Sequence, residues 1–144
     1  MSLSEEFSHL NIIFIDTAPI IYYIEAHPQF GQLAKEVVDS FQLGNVSAFS
    51  SVITLVEVLP KSIEAGDEKL ARKFAEFLKH GKNFTLIEIS EGIAEDTGRL
   101  RGKYAGIKTI DAIQVSAALD IGADALITND ERLKQIKEIK TILS

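Results

Sequence analysis

A chain of 144 residues, 46% of them hydrophobic and 25% charged, can bury one sizeable core and has little room for a second. It contains no cysteine, which excludes disulfides, thiolate nucleophiles and thiolate metal sites and fits a reducing compartment. The formal net charge of -6 argues against a generic nucleic-acid coat, whose grip comes from excess Lys and Arg, but leaves room for a local basic surface.

Residues 1–9 are polar and acidic, with no basic and apolar signal-peptide pattern, and read as a flexible leader before a single domain over residues 10–144. The longest apolar candidate, residues 12–24, is interrupted by Asp16 and falls short of the roughly 20 residues that span a bilayer. A soluble, cytoplasmic protein with no membrane contact is expected.

Residues 11–15 form a continuous apolar run rich in β-branched side chains, as in a strand buried on both faces of a parallel sheet. Asp16 and Thr17 follow, then Pro19, which suits a first helical turn, and a helix carrying Ile20, Ile21, Tyr23 and Ile24 that ends by His27-Pro28. Leu33, Val37, Val38 and Phe41 define a second helix stopping near Gly44. Residues 46–50 read as the second strand, and 52–59 as a short helix halted by Pro60, with Glu57 on its flank. Residues 67–80 hold an amphipathic pattern capped by Asp67. Residues 84–89 are the third strand, and Ser90 opens a helix to about Tyr104. An amphipathic helix over 109–119, a fourth strand over 125–128, a short helix over 131–136 and an edge strand over 139–143 complete the chain. Strands alternating with helices predict parallel pairing with right-handed crossovers, hence an α/β fold: a three-layer α/β/α sandwich around a parallel sheet.

In such a sheet each strand's carboxyl end and the next helix's amino end share one edge, where ligands bind. Asp16 follows the first strand, Asp130 the fourth, Asp111 sits in the first turn of the helix feeding the fourth, and Glu57 lies one to two turns past the second. Four carboxylates in one pocket would repel each other, and a hard divalent cation resolves the conflict. Mg²⁺ or Mn²⁺ takes oxygen ligands of this kind, and the chemistry best served is metal-assisted phosphoryl transfer. Just before Asp111, the run RLRGKYAGIK carries Arg99, Arg101, Lys103 and Lys108 with no acid, a candidate lip for phosphates to which Lys61 could add.

Each acid also has an ordinary structural reading. Asp16 suits a helix N-cap, Asp111 complements a helix dipole, Glu57 could face solvent, and Thr128 with Glu131 has the spacing of a capping box. His9, His27 and His80 form no H-x-x-x-H pair, Ser50-Ser51 lacks a nucleophile-elbow context, and no phosphate-binding loop motif exists. Tyr22 and Tyr23 read as core or interface rather than as a base-stacking platform.

The segments IIFIDTAPIIYYIE, SSVITLVEVLP, KTIDAIQVSAAL and ADALITNDERL resemble, in order and spacing, the four motifs of PIN-domain ribonucleases, most of all the VapC toxins of VapBC toxin-antitoxin pairs. The resemblance covers nearly the whole chain after the leader. It implies a PIN-like fold and an acidic Mg²⁺ or Mn²⁺ site of Asp16, Glu57, Asp111 and Asp130, with supporting polar roles for Thr128 and Thr17. It further implies hydrolysis of RNA, a homodimer and a small antitoxin partner. Ala18 stands where some members are polar, and Gln114 occupies a variable position. The alternatives are a catalytically silent binding module of the same fold and a receiver-like Mg²⁺-binding signalling domain. The latter should carry paired acids at the first strand and a lysine after the fifth, and the sequence shows neither. Metal-activated hydrolysis needs no 2′-hydroxyl, so the chemistry alone leaves DNA open.

Overall fold

The computed structural model describes residues 3–143. Five strands, β1 (Ile12–Ile15), β2 (Ser47–Ser51), β3 (Phe84–Ile87), β4 (Ala125–Thr128) and β5 (Thr141–Leu143), form one sheet in the order β3-β2-β1-β4-β5, every pair parallel. Among the described residues seven helices cover it: α1 (Leu3–Phe7), α2 (Thr17–Ile24), α3 (Gly31–Gln42), α4 (Val52–Glu64), α5 (Glu68–His80), α6 (Glu91–Lys103) and α7 (Thr109–Asp120). A 3-10 turn, Glu131–Gln135, joins β4 to β5.

Alternation along the strands builds two cores, because successive side chains point to opposite faces. Ile13 and Ile15 of β1 pack with Ala125 and Ile127 of β4 against α1 to α5. Phe14 and Leu126 face the other way, into a second core with α6, α7 and the 3-10 turn. The result is the expected three-layer α/β/α sandwich.

Local sequence sets the entry to each helix. Ser51, Asp67 and Ser90 accept backbone N–H groups of the first turns of α4, α5 and α6. In α2, Pro19 falls in the first turn, where the N–H it lacks would have had no intrahelical acceptor.

Three expectations change. The segment read as a flexible leader contributes α1, whose Phe7 is buried in the first core, since an aromatic side chain gains more from that contact than from water. Pro60 does not end α4, which runs on to Glu64. The bond that proline removes would have gone to the carbonyl of Val56, on a turn whose side chain is 63% exposed and where water can satisfy it. Thr128 is not a capping residue: it is the last residue of β4, and Asp130 caps the 3-10 turn by accepting from the Arg132 N–H.

Candidate active site

β1 has β2 on one side and β4 on the other, so the connections leave it in opposite directions and a crevice opens beyond the carboxyl ends of β1 and β4. A cavity of about 410 Å³ occupies this place, lined by Asp16, Glu57, Asp111 and Asp130 together with Thr17 and Thr128. Four carboxylates from four separate parts of the chain therefore share one space.

Asp16 is both cap and cavity wall. Its backbone is extended, its Oδ1 accepts from the Thr17 N–H at 2.8 Å, and its own N–H donates to the Ile127 carbonyl. The Thr128 hydroxyl donates to Asp16 Oδ2 at 2.9 Å and accepts from the Asp130 N–H at 3.1 Å, tying the end of β4 to the end of β1. On the other side, the Thr17 hydroxyl donates to Glu57 Oε1 at 2.7 Å. Asp111 stands in the first turn of α7, and the amino ends of α2 and α7 direct partial positive charge at this edge.

The electrostatics separate the acids. Burial pushes the Asp16 carboxyl above its ordinary range, against bonds from Thr17, Thr128 and Gln114 that favour the charged form, and the neighbouring Asp130 charge adds to the rise. Asp111 is raised as well, first by burial and then by Asp16 and Asp130. Asp130 is lowered, because Arg132 grips both its oxygens, Nε to Oδ1 at 3.0 Å and a terminal nitrogen to Oδ2 at 2.7 Å. Lys108, the N-cap residue of α7, lowers it further.

The basic run separates in space. Lys108 acts on the acidic cavity, but Arg99 and Lys103 line a different one, of about 200 Å³, and pair with Glu95 and Glu138. The Arg101 Nε donates to the Ile107 carbonyl, and Lys61 lines a third cavity beside Glu25. The cation that does meet the acids, Arg132, went unnoticed in the sequence, although it stands two residues past Asp130. Also missed was a buried polar group behind the acids, Ser50, Ser51, Thr54 and Gln114, all 0% exposed. Its signal was a glutamine inside the apolar run of α7 and hydroxyls at the β2–α4 junction.

Carboxylate oxygens, two of them raised by burial and mutual repulsion, make a donor set that fits a hard divalent cation. Among the described residues no three acids are already drawn together as a ready ligand set. Glu57 is held by Thr17, and Asp130 by Arg132.

A parallel three-layer sheet with a carboxylate-lined crevice at its switch point defines the class: an α/β domain that gathers acids at the carboxyl edge. The PIN domain family model matches residues 13–139, and the chain belongs to that family, which displaces the receiver-like alternative. No curated protein sequence matches it significantly. In fold it is similar to VapBC2 from Rickettsia felis bound to a promoter DNA fragment, with a TM-score of 0.74 and 22% identity over 92% of this chain and 98% of that one. It is similar also to a toxin-antitoxin complex from Klebsiella pneumoniae, with a TM-score of 0.67 and 24% identity over 88% and 94%. A third likeness is VapC20 of Mycobacterium tuberculosis, a toxin that cleaves the sarcin-ricin loop, with a TM-score of 0.65 and 14% identity over 79% and 86%. Among the described residues no helix is long and apolar enough to cross a membrane.

Proposed function

We propose that this protein is a divalent-metal-dependent endoribonuclease and the toxin of a toxin-antitoxin pair. The observation that carries the reading is the meeting of Asp16, Glu57, Asp111 and Asp130 in one cavity at the switch point of a PIN domain. The choice of RNA is supported by the likeness to VapC20, and that of an antitoxin by the likeness to toxin-antitoxin complexes.

Asp16, Asp111 and Asp130, with Glu57 as a further ligand or as the group that orients water, would hold Mg²⁺ or Mn²⁺, which supplies Lewis-acid chemistry for phosphodiester hydrolysis when bound. Asp16 is a fixed ligand, pinned by Thr17 and Thr128. Glu57 engages Thr17 through Oε1, leaving Oε2 to accept a proton from an attacking water. Arg132 and Lys108, at the same mouth, are placed to meet the phosphates on either side of the scissile bond. Hydrolysis then places the water's oxygen on phosphorus and a proton on the departing ribose oxygen.

On the same reading the protein works in the cytoplasm, forms a homodimer and is held by a small antitoxin. Val56 and Ile63, at i, i+7 spacing on α4 and 63% and 52% exposed, give such partners an apolar strip. The test is incubation of the purified protein with RNA in Mn²⁺, then in EDTA. Cleavage is expected in Mn²⁺, none in EDTA, and a loss of at least about 100-fold in Asp111→Asn with its circular dichroism unchanged. Full activity in Asp111→Asn would sink the assignment, and a folded wild type that cuts no RNA would favour the silent binding module.

A further inference from the structure

Behind the acidic cavity lies a chain of polar side chains whose proton directions are fixed by their partners. Ser50 donates to the Ile15 carbonyl at 2.8 Å, so at its 2.8 Å contact with Thr54 the threonine must donate. Thr54 therefore needs an incoming donor, and the Gln114 amide nitrogen supplies it at 2.8 Å. The second proton of that amide points to Asp16 Oδ1 at 3.4 Å, and the amide oxygen accepts from the Ser51 hydroxyl. The opposite amide orientation would set its oxygen against the Asp16 carboxylate, so the acid itself selects this one. The 3.1 Å contact of Thr54 with the Thr17 hydroxyl carries no proton in this arrangement, because Thr54 donates to Ser50 and Thr17 donates to Glu57, so the chain from Gln114 ends at Thr54 and Ser50.

We propose that Gln114 is the positioning residue of the site, its buried amide held by Thr54 and Ser51 and directed at the Asp16 carboxylate. The inference rests on the metal-dependent reading given above and extends it to a side chain that touches neither substrate nor cavity. Gln114 is 0% exposed and sits on α7 one turn beyond Asp111, so one helix carries both an acid and the amide that orients another. Packing alone would be served as well by an apolar residue of the same length. A buried amide is retained at a cost unless its bonds are made, and here its oxygen and both its protons are engaged.

The experiment measures Mn²⁺ binding by calorimetry, RNA cleavage and melting temperature in Gln114→Met, Thr54→Val and Thr54→Ser. Gln114→Met keeps the length and loses the donors, and Thr54→Val keeps the shape and loses the hydroxyl. Both are expected to weaken Mn²⁺ binding about 10- to 100-fold and to lower kcat with KM for RNA unchanged. Thr54→Ser, which keeps the hydroxyl, should retain wild-type values, and the double variant should be no worse than its worse parent. Folded Gln114→Met and Thr54→Val proteins with wild-type Mn²⁺ affinity and kcat would overturn the proposal. So would an equal loss in Thr54→Ser and Thr54→Val, which marks packing. A wild type that binds no Mn²⁺ and cuts no RNA defeats the metal-nuclease reading itself, and the positioning role with it.

Discussion

Arg132 holds Asp130 by its backbone N–H and by two guanidinium nitrogens, so a cation that takes Asp130 as ligand must displace it. The pair is partly solvated, with side-chain exposures of 58% and 25%, and pairs of this kind contribute little to stability. Arg132→Ala is therefore expected to tighten Mn²⁺ binding roughly two- to fivefold while raising KM for RNA, because in the proposed function the same guanidinium meets phosphate. Unchanged calorimetric affinity would show that Arg132 does not compete. The neighbouring acids respond to pH with their own sign. Asp16 and Asp111 are raised, so they keep protons to higher pH than free carboxylates, and protons would compete there with the proposed metal.

At the scale of elements, Asp124 does for β1 and β4 at their amino ends what Thr128 does at their carboxyl ends. Its Oδ2 accepts from the N–H groups of Asn11 and Ile12, both at 2.9 Å, and its own N–H donates to the Ile12 carbonyl at 2.8 Å. Those bonds, Ile12 first and Asn11 second, hold its carboxyl below the usual 3.8. A depressed folded value contributes stability that is present above the unfolded value and is lost as pH falls through the folded one. Asp124→Ala should destabilise the protein by about 1 kcal/mol near neutral pH and lose that part of the acid sensitivity, as read from urea midpoints between pH 2 and pH 7. A variant with an unaltered midpoint at neutral pH would show that the strand start needs no side-chain acceptor. α7 serves two purposes in the same way: Val115, Ala117 and Ala118 fill the second core, and Asp111 and Gln114 serve the site.

For the whole molecule, the distribution of cations would decide how the RNA of the proposed function is held. Lys108 and Arg132 act on the acidic cavity, while Arg99 and Lys103 are paired beside another. Two phosphate contacts predict a salt dependence of single-stranded RNA binding with a slope of about -1.4 in log affinity against log salt. A slope of about -3 or steeper, measured by fluorescence anisotropy with the Asp111→Asn protein, would bring Arg99 and Lys103 back into the binding surface. The fold was legible because buried parallel strands read as apolar runs: residues 11–15 and 125–128 needed no partner to be recognised. The acids were legible for a topological reason, since position after a strand becomes position at an edge. The reach of the basic run was not, because a helix turns its side chains around an axis and sequence adjacency to Asp111 does not say which face Arg99 and Lys103 occupy.

The sequence by itself determined the parallel α/β fold, the four acids and the family to which the chain belongs, since periodicity, order and spacing are properties of the string. Only the tertiary structure decided what holds those acids. Thr128 donates to Asp16 across two strands, Gln114 reaches Asp16 and Thr54 from another helix, and Arg132 grips Asp130 with its fork. Hydrogen bonds of this kind depend on distances of about 3 Å and on which neighbour already uses a proton, and neither is written in a one-dimensional pattern.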